Sequence, residues 1–177
     1  SRTRPRALQA RSDALGRGRA CFACVRTRAG ALRRGRARFA SGATQIAAEP
    51  HLVTDTGPLL ALDGGDGIGQ WITQTAVDLA KDRAATFGIA AVSVRNSGHF
   101  GTSMYFTRQL AEAGMIGFLA TNASPAVPPH GGVEKLIGNN PQSWAAPTDL
   151  ETPFILDFAH SAVARGKIYL AREKGES

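Results

Sequence analysis

His99 is the side chain best suited to moving a proton. It stands in the run Asn96-Ser97-Gly98-His99-Phe100-Gly101, a polar loop. An apolar stretch, Ile89–Val94, precedes the loop, and a segment with helical spacing, Thr102–Ala113, follows it. An unperturbed imidazole titrates near pH ~6.5, so a neutral ring there can accept or donate a proton at pH 7. Gly98 and Gly101 let backbone approach closely on both sides. A solitary loop histidine is also often a surface or structural group, and the loop alone leaves both readings open.

Two other regions offer polar chemistry. Thr121-Asn122-Ala123-Ser124-Pro125, Gly131-Gly132 and Gly138-Asn139-Asn140-Pro141 combine amide side chains with glycines. Such loops present many donors and acceptors and can hold a ribose or pyrophosphate through backbone N–H groups; a set of surface turns explains the same residues. Asp157 ends an apolar pentapeptide just before a helix expected from Ser161 to about Lys174. A strand end beside a helix N-terminus is a common anion or nucleotide site, and an Asx-type cap for that helix is the alternative.

Two motifs are incomplete. Gly64, Gly65, Gly67 and Gly69 miss the G-x-G-x-x-G spacing, since Asp66 and Gln70 interrupt it, so a tight turn before a helix fits better than a dinucleotide fingerprint. Cys21 and Cys24 have C-x-x-C spacing, but neither a second ligand pair nor a surrounding βαβ pattern accompanies them, so no metal site is expected.

The elements that must position these residues follow from periodicity. Leu52–Thr54 and Leu59–Leu62 read as short strands around a Gly57-Pro58 turn, and Asp63–Gly67 as a loop. A helix fits Gln70 to about Phe87, with Ile72, Ala76, Leu79, Ala80 and Phe87 near one face and Gly88 ending it. Strands are expected at Ile89–Val94, Met115–Ala120 and Phe154–Phe158, with residues 121–153 mostly loop. Gly166 makes a break in the last helix conceivable, because glycine costs ~1 kcal/mol relative to Ala in a helix interior.

The chain has 177 residues, 43% of them apolar and 20% charged, which suits one globular domain. No apolar run approaches the ~18 residues of a membrane span, two cysteines exclude a disulfide scaffold, and no secretory h-region opens the chain, so a cytoplasmic location is expected. The net charge of +7 is concentrated in residues 1–50, which hold 12 Arg, no Lys and only two acids. There the apolar positions follow neither helical nor strand spacing. Three readings stand: an arginine-rich arm for nucleic acid, a solvated tail, or out-of-frame translation of GC-rich coding DNA. The expected division is therefore an atypical segment, 1–48, and an enzyme-like segment, 49–177.

Five ordered segments carry a resemblance. Ile89–Gly101, Gly114–Pro125, Pro128–Gly132, Gly138–Pro141 and Ile155–Lys167 together resemble the malate/L-lactate dehydrogenase type 2 family, over roughly residues 52–175. The resemblance implies an α/β (α+β) fold with a non-Rossmann NAD(P)-binding arrangement, a homodimer, no metal and no membrane. It also implies an oxidoreductase that interconverts a 2-hydroxy acid and a 2-oxo acid with NAD or NADP. By the same resemblance His99 stands at the family's catalytic histidine. Ala123, Asp157, Phe158 and Ala159 stand at its cofactor contacts, and Asn122 and the Gly138–Pro141 turn lie beside them.

The sequence departs from the family in four places. The family's N-terminal S-H-G-x-x-R motif, with a further histidine and a substrate-binding arginine, is absent. Asn139 replaces a usual Thr. Lys167 occupies a position where the imine-reducing branch needs an acid. The chain ends at Ser177, where the family continues. A fragment of such an enzyme is thus expected, with an inactive remnant and a nucleic-acid-binding protein as alternatives.

Overall fold

The computed structural model describes residues 20–27, 44–162 and 165–175. Seven strands form one sheet: β1 (Ala20–Thr27), β2 (His51–Asp55), β3 (Leu59–Gly67), β4 (Ile89–Ser97), β5 (Ile116–Asn122), β6 (Gln142–Ala146) and β7 (Phe154–Phe158), in the order β2-β3-β4-β1-β5-β6-β7. Among the described residues the helices are α1 (Gly69–Phe87), α2 (Met104–Glu112) and α3 (Arg165–Lys174). β3, β4, β1 and β5 run parallel, while β2 pairs antiparallel with β3, β6 with β5 and β7 with β6. This mixed α/β sheet has neither the strand order nor the glycine fingerprint of a Rossmann domain.

α1 and α2 lie on one face. Ile72, Ala76, Val77, Ala80 and Ala84 of α1 are buried in one core cluster with Ala90, Val92 and Val94 of β4. Phe106 and Leu110 of α2 join the same cluster with Leu119 of β5. Each large side chain so buried contributes roughly 1.5–3 kcal/mol. Gly117 lets α2 close on β5, because a Cβ there would lie 2.8 Å from the Leu110 side chain. Gln74 and Gln109 tie the helices together at 2.9 Å. On the opposite face Ile116, Trp144 and Leu156 keep substantial exposure, and Phe118 packs on Trp144 with centroids 4.2 Å apart.

Several expectations need correction. β1 falls within the arginine-rich stretch where no strand spacing was expected. Its run Ala-Cys-Phe-Ala-Cys-Val is continuous rather than alternating, the pattern of a strand enclosed by parallel neighbours, and period counting is blind to it. Cys21 and Cys24 lie within this strand. The rest of the arginine-rich stretch, residues 1–19 and 28–43, lies outside the described residues. Asp63–Gly67, expected as loop, continues β3 through an irregular step in which Gly65 and Asp66 take positive φ of 56° and 58°. Phe87 is exposed rather than on the buried face; its ring covers Gly57 instead. Ser161, expected to open the last helix, lies in a bend outside α3, whose described residues are Arg165–Lys174.

α1 and its stop follow the sequence reading closely. Gly88 takes φ 82°, and its N–H donates to the Ala84 carbonyl at 2.9 Å, closing the helix. Among the described residues no helix is long and apolar enough to cross a membrane.

Candidate active site

The parallel strands all end at one edge of the sheet. Ser97 of β4 pairs with Thr27 of β1, and Arg26 of β1 pairs with Asn122 of β5. β7 runs in the same direction as β5, and Ala120, Gln142 and Phe158 are aligned across β5, β6 and β7. The carboxyl edge of a parallel sheet is where α/β proteins place their ligands. His99, Asn122, Ala123, Phe158 and Ala159 all lie on or just beyond this edge. Neighbouring strands are ~4.8 Å apart, so the His99 loop and Asn122 leave strands about 10 Å apart.

His99 is exposed, not packed in an apolar interior. Its Nδ1 accepts the Gly101 N–H at 3.0 Å. A backbone amide can only donate, so Nδ1 carries no proton, and the neutral ring holds its hydrogen on Nε2. Gly101 sits at φ 96°, a conformation that favours glycine.

The loop before His99 is anchored on both sides. Asp63 accepts from the Gly65 N–H at 2.9 Å, from Asn96 Nδ2 at 3.1 Å and from Arg95 Nε at 2.7 Å. The Gly65 amide is the largest influence holding the Asp63 carboxyl near a pKa of about 2; Asn96 and Arg95 add to it, and burial opposes them. Asn96, gripped by this carboxylate, takes φ 52°. The Gly98 N–H donates to the Gly67 carbonyl at 3.3 Å. Gly69, the first residue of α1, lies so close to Gly98 and His99 that a Cβ there would overlap their backbone. The glycine cluster was expected as a turn and Asp63 was not singled out; Gly69 serves the close approach to Gly98 and His99, Gly64 the contact with Ile72, and Gly65 the bond to Asp63.

Asp157 binds the other end of the His99 loop. Its Oδ2 accepts from Thr102 Oγ1 and from the Met104 N–H, both at 2.8 Å. The carboxylate therefore caps α2. An anion is already seated at the α2 N-terminus, a favourable place for one.

Beyond β5, the Ala123 N–H donates to Asn140 Oδ1 at 2.9 Å. A Cβ on Gly138 would overlap the Ala123 carbonyl, so two backbones touch here, beside the Asn140 side chain. The His160 N–H donates to the Asn139 carbonyl at 2.7 Å, and Gln142 Nε2 lies 2.9 Å from His160 Nε2. Phe158 stands edge-on to His160 with centroids 5.8 Å apart. The expected residues on the loops after β5 and β7 are thus tied through Asn139, Asn140 and Gln142. Gln142 and His160 were overlooked as site residues; nothing in their local spacing singles them out. Among the described residues, no cluster of three or more His, Cys, Asp or Glu side chains is placed to hold a metal ion.

Comparison with known proteins gives a consistent picture. A family model described as malate/L-lactate dehydrogenase matches residues 30–177. Malate dehydrogenase of Pyrococcus abyssi is 48% identical over 121 residues, covering 68% of this chain and 33% of that protein. L-sulfolactate dehydrogenase of Methanocaldococcus jannaschii is 37% identical over 123 residues, covering 70% and 36%. Among solved structures, malate dehydrogenase from Entamoeba histolytica superposes with a TM-score of 0.74 at 31% identity, over 79% of this chain and 39% of that one. Sulfolactate dehydrogenase from M. jannaschii gives a TM-score of 0.73 at 32% identity, over 80% and 41%. The chain spans about a third of the length of these curated relatives. With the match extending over most of its residues, this chain belongs to the malate/L-lactate dehydrogenase family.

Proposed function

We propose that the protein acts as a malate- or lactate-like 2-hydroxy acid dehydrogenase with NAD or NADP, and that residues 49–177 together with β1 carry part of its catalytic unit. His99 is the acid–base residue. Asn122, Ala123, Asp157, Phe158 and Ala159 line the cofactor edge. The enzyme works as a homodimer in the cytoplasm on a small 2-hydroxy or 2-oxo acid. One observation supports this most: Asp157 ties the loop bearing His99 to β7, whose end carries the proposed cofactor contacts.

The residues present suit a nicotinamide. The exposed Phe158 ring offers an apolar face, and Asn122 and Asn139 offer amide chemistry matched to a carboxamide. The α2 N-terminus is taken by Asp157, so a pyrophosphate depends on loop N–H groups instead. When bound, the nicotinamide supplies the hydride chemistry. The chain's own residues orient the reactants and handle the proton: His99 Nε2 is the atom that exchanges the proton that must leave or join the substrate's C2 oxygen. Asp157 Oδ2 is engaged, so its part in the site is to hold β7 against α2.

The test is a titration of NADH and NADPH against the chain, followed by nicotinamide fluorescence. Saturable binding weakened about tenfold or more by Phe158→Asp is expected; no saturable binding, or binding indifferent to that change, overturns the reading. Oxidation of NADH dependent on a 2-oxo acid, lost in His99→Ala, tests the whole activity.

A further inference from the structure

We propose that Asp63 is a positioning residue for His99: by clamping Asn96 it holds the 97–101 loop so that the Gly101 N–H meets His99 Nδ1, and the ring rests as an Nε2–H hydrogen-bond donor. The inference deepens the proposed function, since it says in which protonation form the acid–base group waits. It also sets what proton transfer requires. An Nε2–H ring offers a hydrogen bond to a 2-oxo group and has no lone pair at Nε2 to receive the proton of a 2-hydroxy group. To give a proton the ring must first become an imidazolium, and to take one it must carry its hydrogen on Nδ1, so in either direction the Gly101 contact is broken before the proton moves.

The clamp is built from contacts on one side of the loop. Asp63 is 8% exposed, and both its oxygens accept from Asn96 Nδ2, at 3.1 Å each. Arg95 Nε adds a charge-assisted bond at 2.7 Å. Asn96 needs that grip because φ 52° is a conformation non-glycine residues rarely hold without support. His99 lies three residues on, across Gly98, whose N–H is held by the Gly67 carbonyl. If the Asn96 turn relaxes, the peptide plane of Gly101 loses its register with Nδ1. Among the described residues no other group bonded to Nδ1 then selects a tautomer.

The test is nitrogen-15 NMR on histidine-labelled full chain at about pH 8.5, where an imidazole is neutral. The chain holds four histidines, and His99→Gln identifies the relevant signals. In the unmodified chain, His99 Nδ1 is expected to be pyridine-like and Nε2 pyrrole-like, widely separated. Asp63→Asn and Asn96→Gly are both expected to collapse the pair towards averaged positions. Asn96→Gly keeps the positive φ accessible and so remains informative if Asp63→Asn fails to fold. A protonated Nδ1 in the unmodified chain, or an unchanged pair in Asn96→Gly, overturns the proposal. The readout needs neither cofactor nor substrate, so its failure is separate from a failure to bind NADH.

Discussion

Asp157, at the end of β7, places one carboxylate oxygen 2.8 Å from the amide of Met104, the first residue of α2 and 53 residues earlier in the chain. The contact joins the two halves of the proposed site, because the same oxygen also holds Thr102 at the end of the His99 loop.

Asp157→Ala should therefore weaken both ends at once. Loss of an N-cap acceptor costs about 1 kcal/mol, read as a lower denaturation midpoint in urea. The larger expected effect is on NADH affinity, since β7 and the His99 loop are no longer tied. An affinity that falls only as far as global stability does would contradict a joining role.

Gly69→Ala tests the close approach behind His99. The added methyl meets the Gly98 and His99 backbone, which cannot swing aside as a side chain would. Overpacking of this kind costs about 1–3 kcal/mol. The same change at Gly88 places the Cβ in open space, although its φ of 82° still strains it. Thermal melts of the two variants, with the His99 ring signals as a local probe, should show His99 displaced only by the change at Gly69.

Asp63 gives the chain an acid-sensitive limb. Its folded pKa, about 2, lies below the ordinary 3.8. The carboxylate thus stabilises the fold above the unfolded value, and that contribution is lost as pH falls through the folded one. The window is roughly pH 4 to 2, and the size is on the order of 2 kcal/mol. Urea midpoints measured across this window should fall steeply in the unmodified chain and more gently in Asp63→Asn.

A buried hydroxyl pair offers a cleaner energetic test. Thr107 Oγ1 and Ser143 Oγ lie 2.7 Å apart between α2 and β6, and both residues are fully buried. Ser143→Ala should cost about 1–3 kcal/mol by leaving Thr107 without its best partner. Adding Thr107→Val should cost less than the sum of the single changes. Strict additivity in the double-mutant cycle would mean the pair is not coupled.

How much of this was legible in the sequence depends on the range of the interaction. The His99 loop could be read because its cause is local: an apolar strand, two glycines and a helical pattern stand side by side. α1 and its Gly88 stop were legible for the same reason. β1 was not, since a continuous apolar run among arginines has no period to count. The step at Asp63–Gly67 looked like loop because its glycines, which serve Asp63, Ile72 and Gly98, equally suit a turn. Asp157 drew attention for its place near a strand end, but its contacts with Thr102 and Met104 are distant in sequence and could not be read from its neighbours. Gln142 and His160 meet only once β6 and β7 have paired.

The central claim is that the His99 imidazole and a bound nicotinamide ring share the carboxyl edge with the loops after β5 and β7. The most direct measurement is a proton–proton Overhauser experiment on the chain saturated with NADH. Cross-peaks from the nicotinamide protons to the His99 ring and to Ala123 or Phe158 are the expected result. Saturable NADH binding with cross-peaks to none of these residues would contradict the assignment.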